Sequence, residues 1–272
     1  MKPRFAAIIV THNSANVLER CVEALCQQSR PVDEIIVIDS GSDDPDYLGY
    51  LEQKFSLNVV KQDNIGFARS NNLGLTKISR QVDSIIFLNP DTFLASDFVQ
   101  RAVDIFKKSP HIGFLSGKLL GYDPLAGRPT GRIDSTGVLR KWYGRWYDRG
   151  HGEKDTGHYD MVEEVPALCG ALLCCRRRVI DLFGGTVFDP DFFMYKEDVE
   201  LGLRAGKKGV KFLYHPDLIA YHCRGWNRSR KTVQHQMKML SAKNEILLYR
   251  KHPSPYMIWA LLKYILVTVF KV

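Results

Sequence analysis

The chain has 272 residues, 45% of them hydrophobic and 11% aromatic; this excludes a disordered or low-complexity protein and leaves enough apolar mass for a substantial core. Lys and Arg outnumber Asp and Glu 38 to 30, for a formal net charge of +8. The surplus is C-terminal: residues 200–272 hold 14 Lys and Arg against three acids, so residues 1–199 are net −3, and a basic end of this kind suits an anionic partner such as nucleic acid, a membrane surface or a phosphorylated small molecule.

Residues 5–10 are continuously apolar, as in a strand covered on both faces, and Thr11, His12 and Asn13 end the run. This opening is too short for a signal-peptide core. Ser14 suits the N-cap of a helix whose apolar positions Val17, Leu18, Cys21, Val22 and Leu25 recur at helical spacing. A second apolar strand over 34–38 closes on Asp39-Ser40-Gly41-Ser42-Asp43. A helix over 47–55, a short strand over 57–61 and a helix over 66–77 follow. A fourth buried strand over 84–88 runs into Asn89-Pro90-Asp91. Strand and helix alternate at βαβ spacing, so residues 1–115 read as an open, mostly parallel α/β sheet with helices on both faces. Such sheets bind ligands beyond the carboxyl ends of their strands, where the polar clusters at 11–13, 39 and 89–91 converge.

Residues 121–160 lose periodicity and gain Gly, Trp, Tyr, Arg and His. Trp142, Tyr143, Trp146 and Tyr147 make this segment too aromatic for a disordered insert, and it reads as an ordered loop or hairpin over the site. An apolar run returns over 165–175. Residues 197–204 suit a helix with acids in its first turn, Lys207 and Lys208 near its end, and Glu200 four residues before Arg204. A strand-like run over 212–221 leads to His222, close to Arg224, Arg228 and Arg230. Six cysteines without a CxxC pair form neither a disulfide framework nor a zinc motif and point to a reducing, cytoplasmic setting. The chain reads as one domain over 1–250, with a nucleotide-binding half (1–115) and an acceptor half (116–230), followed by an amphipathic tail over 251–272.

Five of these clusters occur in the order and at the spacing of a known family: Ile8-Ile9-Val10-Thr11-His12-Asn13, Ile36-Val37-Ile38-Asp39-Ser40-Gly41-Ser42-Asp43, Asn64-Ile65-Gly66-Phe67-Ala68-Arg69-Ser70-Asn71-Asn72-Leu73-Gly74, Leu88-Asn89-Pro90-Asp91 and Glu197-Asp198. Over roughly residues 5–250 the chain resembles the family 2 inverting glycosyltransferases of the GT-A fold, in particular their bacterial rhamnosyltransferase-like branch.

The resemblance implies a nucleotide-sugar donor, dTDP- or UDP-linked, and a divalent metal, Mg²⁺ or Mn²⁺, to neutralise the departing diphosphate. Asn89-Pro90-Asp91 stands where the family usually carries Asp-x-Asp, which makes Asp91 the metal ligand and Asn89 its donor-side neighbour; the alternative is plain turn chemistry. Asp198 takes the place of the family's general base, needed to remove the acceptor hydroxyl proton. Adjacent helical residues diverge by about 100°, so Glu197 is expected to face away from the site that Asp198 faces. Thr11, Asn13 and Asp39 would line the nucleoside, Asp39 accepting the pyrimidine imide N–H. Gly66 would admit the nucleotide-sugar close to the backbone and Arg69 would meet its diphosphate or sugar. His222 is a candidate second metal ligand, with the basic residues beside it facing phosphate.

Residues 256–270 contain one charge, Lys263. As a helix of about 22 Å they fall short of the roughly 30 Å membrane core. The tail then lies in the membrane interface, with Trp259 and Tyr264 at headgroup level and Arg250, Lys251, Lys263 and Lys271 on anionic lipid, or packs on the domain, or pairs in a homodimer. The branch implies a glycan acceptor linked to lipid, a place at the inner face of the plasma membrane and a role in surface-polysaccharide synthesis. The competing readings are a UDP-hexose or UDP-N-acetylhexosamine transferase of the same architecture, and a non-catalytic sugar-nucleotide-binding or scaffold protein. Nucleic acid is not an expected partner, because the basic segment has no groove-reading motif.

Overall fold

The structure, a computed structural model, describes residues 2–224 and 234–271. Ten strands form one sheet among these residues. One parallel part of it is β1 (Phe5–Thr11), β2 (Glu34–Ser40), β3 (Asn58–Gln62) and β4 (Ser84–Leu88). The short β5 (Thr92–Leu94) follows, then β6 (Ile112–Asp123) and β7 (Arg128–Ser135). β8 (Val138–Arg140) and β9 (Trp146–Asp148) form a separate hairpin, and β10 (Glu163–Val165), β11 (Leu172–Arg176) and β12 (Lys211–His222) complete the set. The order across the sheet is β10-β12-β6-β11-β4-β1-β2-β3, with β5 on β12 and β7 on β6. β11 joins the two halves by running antiparallel to both β4 and β6.

Helices α1 (Ala15–Cys26), α2 (Asp46–Lys54), α3 (Phe67–Lys77) and α4 (Phe98–Lys108) alternate with the early strands. α5 (Arg177–Leu182) and α6 (Glu197–Lys207) follow β11, and α7 (His235–Lys251) and α8 (Met257–Phe270) form a C-terminal pair. All seven residues of β1 are buried, which is why its sequence is a run rather than an alternation. One cluster packs Ile9 with Leu18, Val22 and Leu25 of α1, and the other packs Ile8 with Ala68 and Leu75 of α3. Truncating Ile9 to Ala would cost about 2–5 kcal/mol through lost transfer energy and a cavity that tight packing cannot close.

The α1 stripe is the one expected from its spacing. Its capping is not: Ser14 Oγ donates to the His12 carbonyl, and only the Ser14 backbone oxygen engages the helix, accepting from Val17 and Leu18 N–H. The aromatic segment is ordered as an insert of β7, the β8–β9 hairpin and tight turns. In it Trp146 is buried while Trp142 is 85% exposed.

Candidate active site

Parallel register sets the frame. Thr11 pairs with Asp39 and Ile9 with Leu88, so the carboxyl ends of β1, β2 and β4 lie side by side. The chain leaves β4 through Asn89, whose N–H donates to the Ala171 carbonyl, and turns through Asp91 into β5. β5 then pairs with the end of β12, His222 opposite Thr92, and Cys223 N–H donates to the Asp91 carbonyl. Two residues 131 positions apart thereby become neighbours: His222 Nε2 lies 3.3 Å from Asp91 Oδ1.

The other face of the His222 ring is held by Asp134 of β7, whose Oδ2 accepts from Nδ1 at 2.8 Å. Asp134 is fully buried and also faces Arg224 Nε and His151 Nδ1, each at 3.4 Å. Burial alone would raise its pKa, but hydrogen bonds from His151 and His222 and the charge of Arg224 hold it far below the carboxylate range. Burial likewise opposes the His222 cation, yet Asp91 and Asp134 outweigh it and raise the imidazole to about 9. Arg224 continues the chain of charges, its Nη1 donating to Asp148 Oδ2 at 2.7 Å.

Asp198 reaches the same place from α6. Tyr195 and Lys196 both adopt φ of 72°, a left-handed conformation costly for residues with a Cβ. Asn244 of α7 holds this turn by donating to the Met194 carbonyl at 2.8 Å and the Tyr195 carbonyl at 2.9 Å. α6 also approaches residues 166–167 so closely that a Cβ on Gly202 would sit 2.4 Å from the Pro166 carbonyl. The result is that Asp198 accepts from Val199 N–H at 2.8 Å and Gly170 N–H at 3.4 Å. Burial and then the Asp148 charge raise the Asp198 pKa; burial and then Asp198 push Glu197 up to about 8.

Asn89, Asp91, His222 and Asp198 line one cavity of about 650 Å³, a size suited to a small ligand. Glu197 lines it as well, against the expectation that only one of the two adjacent acids would face it; the turn at 195–196 delivers both to the wall at the first turn of the helix. The insert contributes Arg145, Trp146, Tyr147 and Asp148. The C-terminal pair contributes Lys238, Ser241, Glu245, Trp259 and Lys263. Arg228 and Arg230 lie outside the described residues.

Thr11, Asn13, Asp39, Gly66 and Arg69 do not line this cavity. Thr11, Asn13 and Asp39 lie at the ends of β1 and β2, and Gly66 and Arg69 at the start of α3. Thr11 Oγ1 shares a hydrogen bond with the Tyr47 hydroxyl at 3.2 Å, and Asn13 donates through Nδ2 to Asp43 Oδ2 and accepts through Oδ1 from the Asp43 backbone N–H, each at 2.8 Å. Asp39 is 3% exposed and accepts from Ser42 Oγ at 2.5 Å. Gly66, with φ of 83°, is backed by its own chain: a Cβ there would lie 2.5 Å from the Phe193 ring and carbonyl. Its neighbour Phe67 reaches the cavity and links the two groups. The Arg69 Nε donates to the Pro190 carbonyl at 2.9 Å, tying α3 to the chain before α6.

The tail departs most from its sequence reading. Lys263, expected on headgroups, is buried and ion-paired with Glu245 of α7. Lys251 pairs with Asp189 at 2.8 Å and Asp191 at 2.5 Å. α8 therefore places its charge inside and its apolar residues outside: Ile258, Leu262, Ile265, Val269 and Phe270 are each more than half exposed. No helix among the described residues is long and apolar enough to cross a membrane.

Asp134, Asp148, Glu245 and the cavity face of Trp259 were not identified from the sequence. The first two lie in the aperiodic insert, and only tertiary pairing marks them. Glu245 lies in α7, outside the motif-bearing segments. Trp259 by composition suits a membrane interface, packing on the domain or a homodimer seam alike.

An acid-lined cavity at the carboxyl ends of the strands is where an open α/β sheet binds a small ligand. Residues 6–155 match Glycosyl transferase family 2, and the chain belongs to that family. It is 24% identical over 254 residues, 84% of this chain and 78% of the other, to an N-acetylglucosaminyl-diphospho-decaprenol L-rhamnosyltransferase of Mycobacterium tuberculosis. It is 25% identical over 219 residues, 77% of this chain and 16% of the other, to the O-antigen biosynthesis protein RfbC of Myxococcus xanthus. Among solved structures, GalNAc-T7 with UDP, GalNAc and Mn²⁺ superposes with a TM-score of 0.67 at 16% identity, over 98% of this chain and 58% of that one. The fold is thus GT-A and the protein is a glycosyltransferase.

Proposed function

We propose that this enzyme transfers rhamnose from dTDP-rhamnose, with inversion, to a hydroxyl of a lipid-linked surface glycan at the inner face of the plasma membrane. The observation that carries the reading is the meeting of Asp91, His222 and Asp198 in one cavity. Residues 1–250 act as one transferase unit and 251–272 as its helical appendage.

The protein's own groups divide the chemistry. Asp39 accepts the pyrimidine imide N–H; a carboxylate has about four lone-pair sites, and Ser42 uses only part of that capacity. Thr11 and Asn13 bound the nucleoside side of the site, Gly66 brings backbone close to the nucleotide-sugar, Arg69 meets its diphosphate or sugar, and Asn89 lies on the diphosphate side. Asp198 takes the acceptor proton as that oxygen attacks the anomeric carbon and the bond to the diphosphate breaks.

The donor set fits a hard divalent cation. Asp134 occupies His222 Nδ1, and a cation that displaced the Nε2 proton would meet that nitrogen beside the Asp91 carboxylate. No group of three or more His, Cys, Asp or Glu suited to a metal occurs among the described residues. A cation such as Mg²⁺ or Mn²⁺, which keeps waters and phosphate oxygens, suits such a two-residue site. Bound there, it would neutralise charge on the leaving diphosphate.

The rhamnosyl donor and lipid-linked acceptor are supported by the name of the Mycobacterium relative. The outer face of α8 then touches the membrane, as its exposed apolar residues favour. A UDP-hexose or UDP-N-acetylhexosamine donor is the second reading, favoured by the UDP-bound structural neighbour. Calorimetric titration with dTDP-rhamnose, UDP-glucose, UDP-galactose and UDP-GlcNAc, with and without Mn²⁺, decides between them. Preference for dTDP-rhamnose is expected, and preference for a UDP-sugar overturns the rhamnose assignment.

A further inference from the structure

The cavity wall opposite β4 is built from the C-terminal helices, which lie beyond residues 6–155 matched by the family. Two buried polar atoms there have no hydrogen-bond partner among the described residues. Glu245 is 1% exposed; its Oε2 is engaged by Lys263, while its Oε1 is unpartnered. Trp259 Nε1 is likewise unpartnered, although its ring is held edge-on against Tyr143 at 4.9 Å between centroids. Asp148 Oδ1 and Glu197 Oε2, also on the cavity wall, are in the same condition. Leaving such groups buried and unpaired costs free energy that a ligand carrying the complementary groups recovers.

One indole donor and three carboxylate acceptors in a wall that also bears Trp146 and Tyr147 match one ligand chemistry. A pyranose presents vicinal hydroxyls that donate to carboxylates, a ring or hydroxyl oxygen that accepts from N–H, and an apolar C–H face that packs on aromatic rings. Phosphate does not match these atoms, because the Asp148 and Glu245 carboxylates repel it and the cations nearest them, Arg224 and Lys263, are already paired with them. We propose that α7 and α8 carry the acceptor-saccharide subsite, in which Glu245 and Trp259 bind hydroxyl groups of a pyranose and present another to Asp198. This deepens the transferase reading, which names the pyranose as the acceptor.

The test measures binding of a panel of n-octyl glycosides (β-GlcNAc, β-glucoside, β-galactoside and α-rhamnoside) by calorimetry, with dTDP and Mn²⁺ titrated separately. Wild-type protein should bind at least one glycoside. Glu245→Gln, which is nearly isosteric, and Trp259→Phe, which keeps an aromatic ring but loses the indole N–H, should each weaken it by about fivefold or more, because each removes a charge-assisted or buried hydrogen bond. Circular dichroism and thermal unfolding verify that both variants fold. A smaller change in either folded variant, or no glycoside bound by wild type, overturns the subsite. Loss of dTDP binding by wild type, with the glycoside results as expected, overturns the dTDP-donor reading and leaves the subsite standing.

Discussion

Asp134 is the residue through which the two sides of the site are coupled, and replacing it by Asn separates its charge from its shape. The amide oxygen can still accept from His222 Nδ1, now 2.8 Å from Asp134 Oδ2. The fully buried negative charge facing His222, His151 and Arg224 disappears. Carboxylates that orient a metal-binding histidine contribute roughly 10–100-fold to metal affinity, or about 1.4–2.7 kcal/mol. The same substitution should destabilise the fold by about 1–3 kcal/mol, toward the low end because Arg224 keeps Asp148 at 2.7 Å and His222 keeps Asp91 at 3.3 Å. The pH dependence has a definite sign. His222 is raised from 6.5 to about 9 on folding, so its contribution to stability is complete below pH 6.5 and is lost as pH rises through about 9. Metal-free wild type should therefore lose stability between these limits, and Asp134→Asn should lose less. Mn²⁺ titration and chemical denaturation across that range measure both effects. Wild-type Mn²⁺ affinity together with an unchanged pH profile would refute the coupling.

Asp198→Asn should abolish most sugar transfer while leaving Mn²⁺-dependent donor affinity within about twofold, because the base acts on the acceptor; near-wild-type turnover removes Asp198 from that role. Folding raises the Glu197 carboxyl from 4.5 to about 8, so this group favours the fold below pH 4.5 and the benefit is lost as pH rises through about 8; Glu197→Gln should flatten that decline in denaturation experiments. Asn244→Ala removes two hydrogen bonds from the strained 195–196 turn, and a stability loss of about 2 kcal/mol with reduced turnover is expected, against no change if the turn is held otherwise. Leu262→Glu with Ile265→Glu on the outer face of α8 should abolish sedimentation with anionic vesicles without altering dTDP binding, whereas unchanged sedimentation rules out α8 as the contact.

Much of the fold is legible in the sequence because local and tertiary preferences agree there. The runs at 5–10, 34–38 and 84–88 are strands buried on both faces, and βαβ connection dictates that their polar ends converge. The site is legible where a residue terminates such a strand, as Asp39 and Asp91 do, or begins a helix, as Asp198 does. Asp134 and Asp148 are not, because β7 and β9 lie in a segment where turns and aromatics obscure any period, and their roles arise only on meeting His222 and Arg224. The tail shows a different failure. A single lysine in an apolar run suggests a helix lying with its charge in water, but Glu245, 18 residues earlier, draws Lys263 inward and turns the apolar residues out. Composition gives the helix and its length; the pairing decides which face is which.

In the proposed reaction Asp91 and His222 hold the donor's cation while Asp198 addresses the acceptor. A crystal structure with dTDP-rhamnose and Mn²⁺ should show one ion within about 2.0–2.3 Å of Asp91 and His222 Nε2, the diphosphate on that ion, and the anomeric carbon facing Asp198. An ion that avoids both residues, or a sugar directed away from Asp198, would contradict it.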